Sequence, residues 1–131
     1  MTASPLLLIV EDNARNLKLA RDVLAHVGYG TLEAQTAEEA IALARSHRPD
    51  MILMDIQLPG MDGIQALAQL QADAVTAAIP VVAFTAFAMK DDRERFLGAG
   101  FHGYLEKPIS VRDFPGQVAD LLASANARAQ T

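Results

Sequence analysis

The chain has 131 residues, 51% of them apolar, and a formal net charge of −5. This length fits one compact domain, and no apolar stretch approaches the roughly 18 residues that a membrane-spanning helix needs. The absence of cysteine excludes disulfides and thiolate metal sites, while the acidic balance argues against a nucleic-acid backbone as the main partner. We therefore expect a cytoplasmic domain with no membrane partner and no direct nucleic-acid partner.

Short apolar runs in the sequence predict strands that are covered on both faces, as in a parallel sheet. Three of these runs are continuous, and two further candidates are weaker. The continuous runs span residues 6–10, 51–54 and 80–84, and the weaker ones span residues 31–34 and 103–105.

Helical patterns follow these runs, with apolar residues that recur every three or four positions. Gly28 supplies a stop for the first helix, and Thr36 with Glu39 forms a capping-box sequence before the second. Asp62 and Gly63 are predicted to shape the loop before the third helix and to cap it.

The last two helices carry features that the apolar pattern does not explain. Arg93 and Arg95 are predicted to belong to a solvated face of the fourth helix. Pro115 would remove a hydrogen bond from a helix capped by Ser110. We therefore predict that the fifth helix begins near Phe114, with a separate turn before it.

The strand–helix order occurs five times without an internal repeat or a linker. Crossover helices of this length imply parallel strands with right-handed connections and helices on both faces of the sheet. The predicted fold class is therefore α/β. We assign residues 1–123 to this domain and residues 124–131 to a short C-terminal tail.

Three acidic side chains, Glu11, Asp12 and Asp55, come directly after or at the end of predicted strands. The carboxyl ends of parallel strands meet at one edge of a sheet, so these side chains are expected to converge. Like charges at close range repel unless a hard divalent cation lies among them, and oxygen ligands favour Mg²⁺, with Mn²⁺ as a plausible substitute. The alternative is a solvated acidic loop at each strand end.

Two further polar residues follow the other strands. Lys107 could neutralise an incoming anion, and Thr85 could donate a hydroxyl hydrogen bond to it. A cis bond between Lys107 and Pro108 would fix the direction of the lysine. Each residue also has an ordinary interpretation, as a surface lysine and a strand-terminal threonine.

Together these groups suit a carboxylate that attacks phosphorus, a reaction that needs positioning and charge neutralisation. Asp55 is the best nucleophile candidate because it ends the central apolar run. A haloacid-dehalogenase phosphatase would need a second acid where this chain has Gln57. A flavodoxin-type phosphate loop would be repelled by Glu11 and Asp12, and the chain has no P-loop motif.

At these residues the sequence resembles the receiver domain of two-component response regulators. Within that family it looks closest to single-domain cell-division regulators of the DivK type, although receiver domains of hybrid histidine kinases share the same short stretches. The matching segments are residues 9–13 (IVEDN), 54–63 (MDIQLPGMDG), 85–86 (TA) and 107–109 (KPI).

This resemblance implies a flavodoxin-like fold, a doubly wound parallel sheet in the order 2-1-3-4-5 with five helices. It implies that Asp55 accepts a phosphoryl group. Mg²⁺ would be bound by Asp12, by Asp55 and by the backbone carbonyl of Gln57, with Glu11 acting through water.

The resemblance also implies a switch. Thr85 and Lys107 would bind phosphoryl oxygens, and Tyr104 would turn inward when the threonine moves. Gln57 and Phe87 would border the path of the water that hydrolyses the acyl phosphate and so tune its lifetime.

The implied phosphoryl donor is a histidine kinase or a histidine phosphotransfer protein. We expect a stand-alone response regulator rather than a turnover enzyme. The alternatives are a receiver module of a hybrid kinase or phosphorelay, and a binding-only adaptor on the same fold. The downstream target is expected to bind the face of the fourth helix, fifth strand and fifth helix, around Phe87, Met89, Tyr104 and Val111.

Overall fold

The computed structural model describes residues 4–86 and 90–129 of the chain. Strands and helices alternate as predicted. The strands are β1 (Leu6–Val10), β2 (Gly30–Ala34), β3 (Met51–Asp55), β4 (Val81–Thr85) and β5 (Gly103–Glu106). The helices are α1 (Ala14–His26), α2 (Ala37–His47), α3 (Gly63–Ala72), α4 (Lys90–Ala99) and α5 (Phe114–Ala129).

The strands form one parallel sheet in the order β2-β1-β3-β4-β5, which confirms the doubly wound topology. Every residue of β3 and β4 is buried, because helices cover both faces of the sheet. This burial explains why those two strands appear in the sequence as continuous apolar runs. Within the described residues, no helix has both the length and the apolar character needed to cross a membrane.

Alternate strand residues face two separate apolar cores, one on each side of the sheet. Leu8 and Val10 of β1 face a core shared with α2 and α3, to which α4 contributes Phe96. Leu7 and Ile9 face the other core, which is shared with α1 and α5. Helices therefore pack against both faces of the sheet. The polar residues at the carboxyl ends of the strands remain as the candidate functional site.

Side-chain caps set where the first three helices begin. Asn13 accepts two backbone N–H groups at the start of α1, a cap that the sequence analysis did not identify. Asp62 caps α3 as predicted, in a reciprocal capping box with Gln65. Thr36 accepts the backbone N–H of Glu39 at 3.1 Å and so caps α2, but the predicted box is not reciprocal, because Glu39 accepts the N–H of Gln35 at 3.3 Å.

The last helix begins at Phe114 after a separate turn, as predicted. In that turn the hydroxyl of Ser110 accepts the backbone N–H of Asp113 at 3.2 Å. Pro115 consequently lies in the first helical turn, where its missing N–H has no partner to lose.

The helix then continues through Ala129 and crosses the boundary that we drew between residues 123 and 124. His102, before β5, contacts this extension, with its Nε2 atom 2.8 Å from the hydroxyl of Ser124. The division into a domain of residues 1–123 and a tail of residues 124–131 stays a prediction.

Gly63 packs so closely against the end of β3 that a larger residue is expected to destabilise the protein. A methyl group at this position would lie 2.6 Å from the carbonyl oxygen of Asp55 and 2.9 Å from Cα of Ile56. We expect Gly63→Ala to lower the free energy of unfolding by about 1–3 kcal/mol in chemical denaturation. The control is Gly116→Ala on α5, where nothing lies within 4 Å of the added methyl. It is expected to raise stability by up to about 1 kcal/mol, and equal effects of the two changes would contradict the packing argument.

Candidate functional site

The polar residues at the strand ends converge at the carboxyl edge of the sheet. Asp55 ends β3 and Thr85 ends β4, and both side chains are buried. Glu11 follows β1 and is also buried, with 1% of its surface exposed. Lys107 follows β5, and its backbone N–H donates to the carbonyl of Thr85 at 2.9 Å. Residues that are far apart in the sequence therefore meet in one pocket, as predicted.

Lys107 lies between the two buried carboxylates. Its ammonium Nζ is 2.5 Å from Oε2 of Glu11 and 3.0 Å from Oδ2 of Asp55. The lysine side chain is itself 16% exposed, and Nζ lies 5.1 Å from the ring centroid of Phe84. The peptide bond between Lys107 and Pro108 is cis. The ammonium group thus has little contact with solvent and is held by two opposite charges and an aromatic face.

Backbone N–H groups bind the second oxygen of each buried carboxylate. The N–H of Gln57 donates to Oδ1 of Asp55 at 3.0 Å, and the N–H of Asn13 donates to Oε1 of Glu11 at 3.2 Å. Each carboxylate therefore accepts one backbone hydrogen bond and one contact from Lys107. These interactions fix the orientation of both groups.

Burial and charge change the proton affinities at this site. Burial raises the pKa of Glu11, and the nearby charge of Asp55 acts in the same direction, although Lys107 partly opposes both effects. Burial would lower the pKa of Lys107, but its bonds to Glu11 and Asp55 outweigh that effect and raise the pKa above its ordinary value. The lysine accordingly stays charged at neutral pH.

The carboxylates of Glu11, Asp12 and Asp55 can hold a divalent cation. Each offers one oxygen, and these oxygens all lie within 4.8 Å of one another. Apart from Lys107, Oε2 of Glu11 has no hydrogen-bond partner among the described residues. Asp12 is exposed, so the pocket is open to water on that side. Three hard oxygen ligands and a solvent-accessible side fit Mg²⁺, which retains several of its waters when it binds.

The remaining predicted residues lie around this pocket. Tyr104 is half-buried on β5 and packs against the core shared with α2 and α3. Gln57 is exposed beside Asp55, and its role as a carbonyl ligand stays a prediction. Phe87 and Met89 lie outside the described residues. Val111 is 59% exposed at the turn before α5.

Two contacts were missed in the sequence analysis. Phe84, the residue before Thr85, contacts Lys107 through its ring, although its position in an apolar run indicated only a core residue. Arg93 donates to the hydroxyl of Tyr104 at 2.5 Å, although the helical pattern placed it on a solvated face. No sequence signal indicated either contact, because each one joins two elements that the chain brings together only on folding.

Comparisons with known proteins point to one family. The sequence profile of the response regulator receiver domain matches residues 7–119. The chain is 48% identical over 118 residues to the polar-differentiation response regulator DivK of Brucella anthropi, a match that covers 90% of this chain and 96% of that relative. The DivK protein of Brucella ovis is 47% identical over the same coverage.

Solved structures show the same likeness. A receiver domain protein from Methanospirillum hungatei, described as CheY-like, is 25% identical with a TM-score of 0.85, over 96% of this chain and 99% of that one. The receiver domain of a sensor histidine kinase from Pseudomonas aeruginosa was solved with a magnesium ion coordinated in its active site cleft. It is 32% identical with a TM-score of 0.82, over 92% of this chain and 99% of that one. The chain therefore belongs to the response regulator receiver domain family, the phosphoacceptor domains of two-component signal transduction.

Proposed function

We propose that Asp55 is the residue that accepts the phosphoryl group in this chain. The observation that carries the proposal is the position of Lys107, whose ammonium lies 3.0 Å from Oδ2 of the buried Asp55. A carboxylate held beside a fixed cation is suited to attack an anionic phosphoryl group, because the cation can neutralise charge on the oxygens in transfer.

In the proposed step a carboxylate oxygen of Asp55 attacks the phosphorus of a phosphohistidine on a histidine kinase or phosphotransfer protein. The new phosphorus–oxygen bond forms as the phosphorus–nitrogen bond breaks, and the leaving imidazole nitrogen takes the electron pair. Lys107 then contacts the phosphoryl oxygens instead of sharing its charge between the two carboxylates. The chain accepts one group per cycle and is not a turnover enzyme.

Glu11, Asp12 and Asp55 are the side chains that would hold Mg²⁺, with the carbonyl of Gln57 as a further ligand and Glu11 acting through water. When bound, the cation adds positive charge beside the phosphoryl oxygens. Three carboxylates, those of Glu11, Asp12 and Asp55, gather around the single ammonium of Lys107, so negative charge exceeds positive charge in the pocket. This excess is what supports a cation at this position.

The proposed output is a change at Thr85 and Tyr104 that alters binding to a partner protein. In the strand register Tyr104 pairs with Ala83, two residues before Thr85. Residues two apart in a strand lie on the same face, so all three share one side of the sheet. A movement of Thr85 towards the phosphoryl group would therefore free space on the side where Tyr104 lies. The target would bind the face of α4, β5 and α5.

The proposed function is tested by chemical phosphorylation. Wild-type protein incubated with Mg²⁺ and acetyl phosphate is expected to gain the mass of one phosphoryl group. Borohydride reduction of the acyl phosphate, followed by peptide mass spectrometry, should identify Asp55 as the modified residue. Modification at a different residue, or none under these conditions, would overturn the proposal.

Magnesium binding is expected to stabilise the protein. At ten times its dissociation constant, Mg²⁺ should raise the free energy of unfolding by about 1.4 kcal/mol, and Mn²⁺ should be able to replace it. Asp12→Asn should abolish most of this increase at little cost to the fold, because Asp12 is exposed. The matched control is Asp120→Asn, an exposed position on α5, which should leave the increase unchanged. Thermal denaturation with and without the cation measures both, and an undiminished increase in Asp12→Asn would exclude this residue as a ligand.

A further inference from the structure

Arg93 on α4 contacts Tyr104 on β5 in two ways. Its guanidinium nitrogen Nη1 donates to the tyrosine hydroxyl at 2.5 Å, and its Cζ atom lies 5.2 Å from the centroid of the ring. The hydrogen bond holds the polar end of the side chain, and the ring contact holds its face. Tyr104 is thus bound at its solvent-facing end while the rest of the ring packs against the core.

This pairing differs from those of two other surface arginines, Arg95 and Arg21, which pair with carboxylates. Arg95, two residues later on the same helix, lies 3.6 Å from the carboxylate of Asp92, and Arg21 lies 2.9 Å from that of Glu33. Within residues 4–86 and 90–129, Arg93 has no carboxylate within ion-pair distance. The polar contact of Arg93 is with the neutral hydroxyl of Tyr104, so the arginine acts on the position of that tyrosine.

We propose that Arg93 is a positioning residue that holds Tyr104 in its outward, half-buried position and so opposes the switch of this receiver domain. The inference rests on the proposed function, in which Tyr104 turns inward when Asp55 carries a phosphoryl group. An inward turn moves the hydroxyl away from α4 and breaks its bond with Arg93. A contact that exists in only one of two conformations shifts the equilibrium toward that conformation by its own free energy.

The size of the effect follows from the exposure of the contact. Arg93 is exposed, so its bond to the hydroxyl is weakened by competition with water. An exposed charged hydrogen bond combined with a cation–π contact corresponds to about a two- to fivefold shift in a conformational equilibrium. Removal of Arg93 should therefore raise the equilibrium ratio of the active to the inactive conformation about two- to fivefold.

The test uses beryllofluoride, a mimic of the phosphoryl group, with the 131-residue chain at a fixed Mg²⁺ concentration. Arg93→Ala is expected to lower the half-saturating concentration of beryllofluoride about two- to fivefold. Arg93→Lys, which keeps the charge without the planar donor geometry, should give an intermediate value. Arg95→Ala is the matched control, because it removes an arginine of the same helix that pairs with Asp92 and stacks on Phe96.

A second variant assigns the effect to the hydroxyl of Tyr104. Tyr104→Phe removes the hydrogen-bond acceptor and keeps the ring. If the contact acts as proposed, the combination of Arg93→Ala with Tyr104→Phe should change the affinity less than the sum of the two single effects. Full additivity would show that Arg93 acts through some other group and would overturn the inference.

Fluorotyrosine NMR provides a readout that general destabilisation would not reproduce. The chain contains two tyrosines, so a Tyr29→Phe background leaves one signal, that of Tyr104. Without ligand, Arg93→Ala should move this signal part of the way toward its beryllofluoride-bound position. A wild type that does not respond to beryllofluoride would refute the proposed function. A wild type that responds, with Arg93→Ala identical to it, would refute only the role of Arg93.

Discussion

Asp55→Asn is expected to abolish phosphorylation of the chain by acetyl phosphate, with a loss of more than about 100-fold in rate. The amide has nearly the same volume as the carboxylate, and its oxygen can still accept the N–H of Gln57, so the fold should persist. The nucleophilic charge is lost, and with it the ion pair to Lys107. Intact-mass measurement over time after addition of acetyl phosphate and Mg²⁺ gives the rate.

The control for this variant is the same substitution at Asp120. That aspartate is exposed on α5, on a helix that contributes no group to the pocket, so its rate should match that of the wild type. If Asp55→Asn gained the phosphoryl mass as fast as Asp120→Asn, another side chain would have to be the acceptor. Circular dichroism of both variants would separate loss of the acceptor from loss of the fold.

Lys107→Met is expected to slow phosphorylation at least about 100-fold and to destabilise the protein by about 2–5 kcal/mol at neutral pH. Methionine retains an unbranched apolar stem but leaves Glu11 and Asp55 buried without a counter-charge. The loss of rate follows from the missing cation, and the loss of stability follows from two unpaired carboxylates. Lys18→Met, an exposed change on α1, is the control for both measurements.

The destabilisation by Lys107→Met should depend on pH in a defined direction. The pKa of Glu11 is already raised in the wild type, and removal of the neighbouring cation should raise it further. A carboxyl whose folded-state pKa is raised contributes stability at low pH that is lost as the pH increases. The difference between the variant and the wild type should therefore be largest near about pH 8 and smaller near about pH 5.

Denaturant unfolding without Mg²⁺ at a series of pH values measures this dependence. The raised pKa of Lys107 in the wild type does not affect the comparison between about pH 5 and about pH 8. The stability that Lys107 contributes is lost only at alkaline pH, above the ordinary lysine pKa of 10.5. A difference that stays constant between the two pH values would mean that the carboxylates find other partners when Lys107 is absent. Lys107 would then not be the group that neutralises Glu11 and Asp55 in the pocket.

The sheet could be predicted from the sequence because each strand is specified by the residues of one short segment. Strands buried on both faces need continuous apolar residues, and β3 and β4 show that pattern over their whole lengths. Pro115 was equally informative, since its ring excludes a helix that starts at Ser110 and predicts the start at Phe114. The cap at Asn13 was missed, although asparagine is a favoured N-cap residue and stands directly before the first helix.

The candidate site was predictable for a related reason. In a parallel sheet the residues at the strand ends share one edge, so the convergence of Glu11, Asp55 and Lys107 followed from the strand assignments. The resemblance to a known family then supplied their roles. The contact between Arg93 and Tyr104 could not be predicted in this way, because it depends on how α4 lies beside β5. That angle is set by tertiary packing and has no signature in either segment.

The strand order has a consequence for how such a protein can acquire new partners. Asp55 ends the central strand, and one strand, β4, separates it from the edge strand that carries Tyr104. With neighbouring strands about 4.8 Å apart, roughly 10 Å lies between the end of the Asp55 strand and the rim of the sheet. In the proposed function, substitutions on this rim would change which partner protein is recognised while Asp55 keeps its geometry. Proteins encoded by duplicated copies of the gene could therefore come to bind different partners while they keep the same phosphoryl-transfer reaction.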